Sequence, residues 1–447
     1  MGKRFLVSLL LFLLIVVGVA AGAAFIFHQD YQDLSALQSE AASTPSDETF
    51  GQTDELPVVS NTPVEPAASG SDLESDATPT PEISPEPTEN TSVASSEHTA
   101  RAEALLSEMT LQEKICQMLF VTPEALTGYG RVTQSGDATR ASIQEYPVGG
   151  IIYFSENLVT MDQTTEMIEN IQSYAQEDGG LGLFIGVDEE GGSVARLADS
   201  LGTTEFEDMS VYGAEGDTQK AYEIGTTLAA DLKSLGFNVD FAPVADVLTN
   251  EENTVVKDRS FGSDPELVSS MVSEEVRGFV ESGILCAPKH FPGHGSTGGD
   301  THDGFAASSR TLEELQNCDL LPFQAAMDAG APMIMVGHMT MTEIDSENPA
   351  SLSNAVITGI LREQMGYDGI IITDSLSMSA ITDLYTSGEA AVKAIEAGCD
   401  MLLCISNVSG AIDAVTEAVD TGTISEARID ESVMRILTAK LQYGIIS

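Results

Sequence analysis

The sequence is poor in basic residues. Its 447 residues include 19 Lys and Arg against 70 Asp and Glu, which gives a formal net charge of −51. A protein that binds nucleic acid needs a basic stripe to neutralise phosphates, and adhesion to anionic lipid headgroups needs basic clusters as well. The charge balance therefore argues against both kinds of partner and indicates a strongly acidic surface.

Cysteine is also scarce. The chain has five cysteines and no C-x-x-C pair, which is too few and too scattered for a disulfide framework. Cys286, Cys399 and Cys404 stand in apolar runs and are predicted to be small core residues. The cysteines predict neither redox chemistry nor a zinc site.

The N-terminus carries a long apolar run. It extends from Phe5 to Phe27 and is preceded by Lys3 and Arg4. A spanning helix needs about 20 residues, whereas the apolar part of a signal peptide has about 7–15. We therefore predict that residues 1–27 are a transmembrane anchor of a bacterial cell-membrane protein, with the rest of the chain extracellular because the basic residues precede the run. Secretion after cleavage of a long signal sequence is the alternative.

Residues 28–100 are predicted to be a disordered linker. Positions 28–98 hold fifteen Asp and Glu and no Lys or Arg, and they are rich in Ser, Thr and Pro. Such a segment cannot bury enough apolar area to offset its chain entropy. Its like charges predict an extended acidic spacer.

Residues 101–447 alternate short apolar runs with helical stretches. Continuous apolar runs are typical of parallel strands that are buried on both faces. Eight such runs predict a (β/α)8 TIM barrel, an α/β fold, with an open doubly wound sheet as the alternative. The runs are CQMLFV (116–121), GGIIYF (149–154), LFIGVD (183–188), NVDFAPV (238–244), ILCAPK (284–289), MIMVGH (333–338), GIIITD (369–374) and MLLCI (401–405).

Polar residues stand at the ends of several of these runs. Asp188 ends the third run, Lys289 and His290 follow the fifth, His338 ends the sixth and Asp374 ends the seventh. In a barrel of this class the chemistry sits at the carboxyl ends of the strands. Each residue alone could serve in capping or packing, but together they predict an active site on one face.

The stretch KHFPGHGSTGGDTHDG, residues 289–304, contains a literal G-x-G-x-x-G. A dinucleotide loop would open a helix directly, and this one does not, so we interpret the match as accidental. A helical metal site is improbable because Pro292 and Gly293 interrupt the stretch. A metal stays a minor alternative, since a loop could still gather four potential ligands: His290, His294, His302 and Asp300.

Acid–base chemistry is the interpretation we favour for this stretch. Asp300 could hold His302 in one tautomer and raise its basicity. A histidine held in this way can protonate a leaving group and later deprotonate water. Asp374 would then be the nucleophile or a charge stabiliser, although it could instead cap the helix after it.

Several motifs together resemble glycoside hydrolase family 3, and specifically its β-N-acetylhexosaminidase (NagZ-like) branch. The similarity covers about residues 101–445. The motifs are KHFPGHG with Asp300-Thr-His302, VDEEGGSVARL (187–197), DRSFG (258–262) and TDSLSM (373–378).

The resemblance implies a retaining enzyme that removes terminal, non-reducing β-linked N-acetylglucosamine from a glycan or muropeptide, such as a peptidoglycan fragment. It implies that Asp374 is the nucleophile, that His302 is the general acid/base and that Asp300 is the dyad partner. We expect no metal and no cofactor, and a monomer. The resemblance also implies that five residues bind the terminal sugar: Asp188, Arg196, Arg259, Lys289 and His290.

The chain departs from the family pattern at two positions. Glu189 stands where glutamine is common, and Ser193 stands where arginine is common. The extra acid beside Asp188 could alter the subsite for the neighbouring sugar. The chain has no Trp, so stacking on sugar faces would fall to Tyr or Phe.

Other functions stay open at this point. A phosphorylase or a β-glucosidase of the same family, or a metal-dependent hydrolase, would use much of the same site. A catalytically dead wall-binding module is disfavoured, because Asp374, Asp300 and His302 are all present.

Overall fold

The computed structural model describes residues 89–298 and 306–447. Within them, α-helices surround a parallel sheet. The strands are β1 (Leu119–Val121), β2 (Gly150–Ile152), β3 (Phe184–Val187), β4 (Glu189–Gly191), β5 (Val194–Ala195), β6 (Val239–Asp240), β7 (Leu285–Cys286), β8 (Ala307–Ser308), β9 (Met333–Val336), β10 (Thr340–Met341), β11 (Ile370–Thr373) and β12 (Leu402–Leu403).

The helices connect these strands and flank the sheet. They are α1 (Glu89–Glu108), α2 (Leu111–Gln117), α3 (Pro123–Thr127), α4 (Asp137–Glu145), α5 (Met161–Ala175), α6 (Arg196–Leu201), α7 (Met209–Glu215), α8 (Thr218–Leu235), α9 (Pro265–Glu281), α10 (Leu312–Gln316), α11 (Leu321–Asp328), α12 (Ser379–Thr382), α13 (Ser387–Ala397), α14 (Val408–Asp420) and α15 (Glu426–Gln442). A π-helix, Ala355–Gln364, and three 3-10 turns, Ser155–Asn157, Glu177–Gly179 and Ala350–Leu352, complete the set for the described residues.

Each of the eight predicted apolar runs contains a strand of the parallel system. Six strands form one sheet in the order β12-β1-β2-β3-β6-β7, and β9 pairs with β11 in a separate ladder. All of these pairings are parallel. The carboxyl ends of the six strands in the sheet therefore lie at one edge. The active site predicted from the polar residues at the run ends requires this arrangement.

The prediction of a closed (β/α)8 TIM barrel is wrong. The ladder is continuous over six strands only, and the β9–β11 pair meets this half-barrel through the isolated bridges Phe291–Val336 and Ile372–Met401. Pro288, which follows β7, has no N–H to donate to β9, although its carbonyl accepts the Met335 N–H (3.0 Å). The fold is a TIM-barrel-like α/β domain built on a half-barrel sheet.

A second correction concerns the N-terminus. Across residues 89–298 and 306–447, no helix is both long and apolar enough to cross a membrane. The predicted anchor, residues 1–27, lies outside the described residues and has no support from the structure. Helix α1 begins at Glu89, inside the predicted linker 28–100, and packs against α15.

Local sequence explains where the helices begin and end, as α9 shows. Asp264 accepts a hydrogen bond from the Glu266 N–H (3.1 Å), Pro265 occupies the first turn, and Gly283 follows the end with φ of +70°. The buried face is largely apolar, through Val268, Met271, Val272, Val276 and Phe279, and it also includes Glu275 and Gly278.

Aromatic rings fill the core beside the central strands. Phe120 stacks on Phe184 with ring centroids 6.3 Å apart and meets Phe241 edge-on at 5.2 Å. Gly150 and Gly186 leave the space for these rings, because a Cβ at either position would approach a ring carbon to 2.8 Å. Each fully buried ring contributes roughly 2 kcal/mol to folding.

Asp400 ties the separate β9–β11 pair to its neighbours at the amino ends of the strands. This fully buried carboxylate precedes β12 and accepts from Arg362 on the π-helix (2.6 Å) and from the backbone N–H of Ile371 in β11 (3.0 Å). It also binds Ser432 (2.7 Å) and Arg435 (3.2 Å) of α15. One buried charge thus joins four elements.

Lys440 of α15 is buried near the same end, and no carboxylate of residues 89–298 and 306–447 forms an ion pair with it. Its Nζ donates to Gln117 Oε1 (2.8 Å) and lies 5.1 Å from the centroid of the Phe184 ring. Burial lowers the pKa of Lys440 to about 7. An unfolded lysine keeps a pKa of about 10.4. Between these values the unfolded chain binds more protons, so this group costs stability at and below pH 7, and the cost fades as the pH rises toward 10.

Lys440→Met is therefore expected to raise the melting temperature at pH 7. Methionine fills a similar volume without a charge, although the orphaned Gln117 oxygen offsets part of the gain by about 1 kcal/mol. The advantage over wild type should shrink between pH 7 and 10, as measured by thermal denaturation across that range. The exposed Lys220→Met is the control and should show no such trend. A difference in melting temperature between Lys440→Met and wild type that does not change with pH would contradict a lowered pKa for Lys440.

Candidate active site

A cavity of about 410 Å³ lies at the carboxyl ends of the strands. Its lining comes from the ends of β2, β3, β9, β11 and β12 and from the loops that follow β3, β6 and β7. The lining residues are Ile152, Phe154, Asp188, Glu190, Val194, Arg196, Arg259, Lys289, His290, Met335, Asp374, Ser375, Ser377, Met378, Leu403 and Cys404. A larger cavity of about 610 Å³ lies beside α15, but it contains none of the residues predicted to act.

The smaller cavity brings together six of the eight predicted site residues. Asp300 and His302, the predicted acid/base dyad, fall in residues 299–305, outside the described residues, and their roles stay predictions. The six residues that line the cavity are Asp188, Arg196, Arg259, Lys289, His290 and Asp374.

Asp374 is held in place at the end of β11. Its backbone N–H donates to the Val336 carbonyl at the end of β9 (2.8 Å), and its Oδ1 accepts from the Ser375 N–H (2.7 Å). Burial acts to raise the pKa of Asp374, but His338, His290 and the Ser375 N–H outweigh it, so the pKa lies below its ordinary value. The group is a carboxylate at neutral pH, as a nucleophile must be.

Lys289 and Arg259 are neutralised by the same carboxylate. Glu190 contacts Lys289 Nζ (2.6 Å) and forms two bonds of 2.7 Å with the Arg259 guanidinium. Lys289 also contacts Asp188 Oδ1 (2.6 Å), whose side chain is 17% exposed and faces the cavity. Burial acts to raise the pKa of Glu190, but the two cations lower it far below its usual range. The network fixes both cations at the cavity wall.

Sequence reasoning did not assign a role to Glu190. The sequence feature that could have identified Glu190 is its position in VDEEGG, directly after a strand end that already supplied a candidate acid. Nothing local to this stretch indicates that its partners lie 69 and 99 positions further along the chain (259 − 190 and 289 − 190).

His290 is oriented by Asp246, which sequence reasoning also missed. Asp246 Oδ2 pairs with His290 Nδ1 (2.8 Å), and the carboxylate accepts the backbone N–H groups of His290 (3.3 Å) and His294 (2.6 Å). Because Nδ1 is engaged, the ring presents Nε2 as its remaining polar atom. Asp246 follows the fourth apolar run by two positions, which was the available signal.

His338 supports the segment after Asp374 and does not line the cavity. Its Nε2 donates to the Ser375 carbonyl (2.8 Å), and its Nδ1 pairs with the Ser351 hydroxyl (2.7 Å). A carbonyl can only accept, so Nε2 carries a proton. The histidine therefore fixes the backbone beside the candidate nucleophile.

Arg196 is the third Lys or Arg side chain of the cavity lining, after Lys289 and Arg259. Its Nε is buried without a hydrogen bond, and no carboxylate of residues 89–298 and 306–447 forms an ion pair with it. An unpaired, partly buried guanidinium costs free energy unless a ligand supplies acceptors. Arg196 is therefore available for substrate.

Glu189 stabilises the start of the helix that carries Arg196. Its carboxylate accepts the N–H groups of Leu197 (2.6 Å) and Ala198 (3.1 Å) at the start of α6. Burial raises the pKa of Glu189 to about 7 even though these N–H groups lower it. Glu189 is not among the residues that line the cavity, so this departure from the family pattern supports a helix and does not reshape a sugar subsite.

Among the described residues, no group of three or more His, Cys, Asp or Glu is arranged to hold a metal ion. The backbone N–H of His294 donates to Asp246, and its ring lies beside Thr297 (2.9 Å). The His290 and His294 rings meet edge-on with centroids 5.8 Å apart.

Known proteins share this arrangement of sequence and fold. The family model for the glycosyl hydrolase family 3 N terminal domain matches residues 110–439. Beta-hexosaminidase LpqI of Mycobacterium tuberculosis is 32% identical over 345 residues, which is 75% of this chain and 84% of the relative. Beta-hexosaminidase A of Pseudoalteromonas piscicida is 32% identical over 67% of this chain, and the match spans about half of that relative (54%).

A solved structure is also similar to this chain in sequence and fold. The glycoside hydrolase family 3 β-N-acetylglucosaminidase from Paenibacillus sp. str. FPU-7 superposes with a TM-score of 0.71 and 38% identity. The match covers 75% of this chain and 63% of that one.

Glu190→Gln is expected to destabilise the protein. The change leaves Lys289 and Arg259 buried with only Asp188 nearby, and breaking a buried ion pair costs about 3–5 kcal/mol. Urea denaturation should show this loss as a lower midpoint. The exposed Glu205→Gln is the control, because it removes the same charge without a buried partner. Equal stability of the two variants would contradict a structural role for the network.

Proposed function

Because the chain belongs to glycoside hydrolase family 3, we propose that it is a retaining β-N-acetylhexosaminidase. It hydrolyses terminal, non-reducing β-linked N-acetylglucosamine through a covalent glycosyl-enzyme. The observation that carries this proposal is Asp374, a buried carboxylate kept ionised at a strand end inside a cavity of charged, oriented side chains. Relatives named beta-hexosaminidase support the choice of sugar.

The reaction proceeds in two displacements. Asp374 attacks the anomeric carbon while the glycosidic C–O bond breaks, and the leaving oxygen takes a proton from the general acid. Water then loses a proton to the same group and displaces Asp374, which restores the original anomeric configuration. The sequence resemblance assigns the acid/base role to His302, and this role stays a prediction.

The cavity wall binds the terminal sugar. Asp188 presents its partly exposed carboxylate to sugar hydroxyls, and His290 and Arg196 offer a ring nitrogen and an unpaired guanidinium. Because Glu190 already neutralises Lys289 and Arg259, these groups need little rearrangement when a neutral sugar binds. The volume of about 410 Å³ lies toward the small end of ligand sites, which favours a terminal sugar.

The wider setting of the reaction stays a prediction from sequence. Peptidoglycan fragments are the substrate that we propose, with the enzyme acting outside the cytoplasm as a monomer. Cell fractionation and sedimentation of the full chain test the location and the oligomeric state.

Asp374→Ala is expected to lower turnover of p-nitrophenyl β-N-acetylglucosaminide by about 10⁴-fold or more, because the nucleophile is lost. Added azide should restore part of the rate and yield the α-glycosyl azide, since it attacks from the face that Asp374 occupied. The azide product distinguishes a missing nucleophile from a misfolded protein. The exposed Asp383→Asn is the control and should keep wild-type rates.

Two outcomes would overturn the proposal. Retention of more than about a tenth of the wild-type rate in Asp374→Ala would exclude it as the nucleophile. Sugar 1-phosphate as the main product in phosphate buffer would make the enzyme a phosphorylase.

His302→Ala is expected to affect substrates according to their leaving groups. Loss of the acid should lower kcat/KM for the disaccharide N,N′-diacetylchitobiose by about 10²–10⁴-fold. The p-nitrophenyl substrate should lose much less, because p-nitrophenolate departs without a proton. His290→Ala is the matched control: it weakens sugar binding and should lower both values by similar factors. A similar loss on both substrates in His302→Ala would contradict the acid role.

A further inference from the structure

Helix α6, which carries Arg196, begins after a residue that cannot cap it. The helix has six residues, Arg196–Leu201, and the residue before it is Ala195, whose methyl side chain cannot accept a hydrogen bond. The first N–H groups of any helix have no partner within the helix, and so short a helix is unstable by itself. The first turn of α6 therefore depends on an acceptor from another part of the fold.

Glu189 is that acceptor, and the hairpin before α6 brings it there. Strands β4 and β5 pair antiparallel with Glu189 opposite Ala195. The Glu189 side chain is buried, its Oε2 accepts the Leu197 N–H (2.6 Å), and its Oε1 accepts the Ala198 N–H (3.1 Å). One carboxylate thus binds the two N–H groups that directly follow Arg196, and it uses both of its oxygens to do so.

The backbone of Glu189 is fixed as well. Its N–H donates to Oδ1 of Asp240 in β6 (3.0 Å), and Asp240 is fully buried. The position of α6 is therefore set by a chain of contacts that starts in the parallel sheet, passes through Glu189 and ends at Arg196 in the cavity wall.

Most of the ionisable groups around Glu189 are acids. They are Asp188 and Glu190 beside it in the chain, Asp199 on α6, Asp231 on α8 and Asp240 on β6, with Arg196 on α6 and Lys289 after β7 as the cations. Lys289 contacts Asp188 and Glu190 (both 2.6 Å), so its charge is already balanced. A negative charge on Glu189 is therefore opposed by its surroundings.

These surroundings make the contact with α6 sensitive to pH. Burial, with Asp199 and Asp231, raises the pKa of Glu189 to about 7, although the N–H groups of Leu197 and Ala198 act to lower it. Above this pH both oxygens are charged acceptors, which the start of a helix favours. Below it one oxygen carries a proton and is a poor acceptor, so one N–H of α6 loses its charged partner.

We propose that Glu189 is a positioning residue for the sugar: its carboxylate fixes the first turn of α6 so that Arg196 meets the substrate, and protonation of Glu189 loosens that turn and weakens binding. The inference rests on the proposed hexosaminidase function. Because the buried Nε of Arg196 makes no hydrogen bond within the described residues, the backbone of α6 orients this side chain before the sugar enters. Affinity for the terminal sugar should therefore rise as the pH passes 7.

Glu189→Gln tests the inference, and glutamine is common at this position in the family, so the variant is expected to fold. Its amide has one accepting oxygen and an NH2 group that can only donate, so one N–H of α6 lacks an acceptor at every pH. KM for p-nitrophenyl β-N-acetylglucosaminide should exceed the wild-type value by about fivefold at pH 8, as for the loss of a helix cap, and by less than about twofold at pH 5.5. The inhibition constant of free N-acetylglucosamine, which reports binding alone, should follow KM. The value of kcat should change by less than about twofold at both pH values, because Asp374 is not moved.

Two further variants separate the cap from general charge effects. Glu205→Gln removes the same charge from an exposed position in the segment after α6, and it should leave KM at the wild-type value at both pH values. Asp199→Asn removes an acid that raises the pKa of Glu189, so the midpoint of the change in KM should move to lower pH.

A double-mutant cycle shows whether Glu189 acts through Arg196. In an Arg196→Met background, adding Glu189→Gln should change kcat/KM at pH 8 by less than about twofold, because the side chain that the cap positions is gone. The ratio kcat/KM is measured at low substrate concentration, so it is obtained even where KM is very high. A general structural role of Glu189 would instead lower kcat/KM by the same factor in both backgrounds.

The outcomes distinguish this inference from the function it rests on. The same ratio of KM values at pH 5.5 and pH 8, a loss confined to kcat, or equal factors in the two Arg196 backgrounds would each overturn the inference and leave the hexosaminidase function standing. No turnover by wild type at any pH would overturn the proposed function itself.

Discussion

The buried carboxylate of Glu190 is the constraint on which the candidate site depends. It lies between Lys289 and Arg259, two cations that arrive on separate loops, and it contacts both at 2.6–2.7 Å. Burying either cation without a counter-ion would cost several kcal/mol, so the loops after β3, β6 and β7 are held together by this pairing. Asp188 completes the charge balance and keeps part of its carboxylate open to the cavity. The cavity is therefore arranged before any ligand enters it, which is what electrostatic preorganisation requires.

The two ends of the sheet use buried charge in different ways. At the amino ends, Asp400 binds arginines from two elements and joins the β9–β11 pair to its neighbours, which compensates for a ladder that is not continuous. Between the ends, the core is apolar and aromatic, with glycines admitting the Phe120 and Phe241 rings. Lys440 and Glu275 are buried exceptions to this apolar core, and in the part of the chain that the structure describes neither has an oppositely charged partner. Buried charge thus stabilises the fold at the amino ends of the strands and forms the candidate active site at their carboxyl ends.

The cavity at Asp374 contains groups that are already paired or oriented, which suits recognition of one neutral sugar. Glu189, one of the two departures from the family pattern, binds the N–H groups at the start of α6 and so acts through the helix that carries Arg196.

Local sequence patterns determined the strands, the helix ends and part of the candidate site. Each of the eight apolar runs contains a parallel strand, the capping residues define α9, and the polar residues at run ends gather Asp188, Lys289, His290 and Asp374. These features follow from neighbouring residues along the chain, because strand burial and helix capping act over a few positions. How the strands join, as a half-barrel with a separate pair that meets it through isolated bridges, depended on hydrogen bonds between distant segments, and the pattern of runs did not show it. The partners of Glu190 and Asp246, 44 to 99 positions away, were likewise decided by the tertiary structure alone, because a buried charge pairs with whatever counter-ion the fold brings beside it.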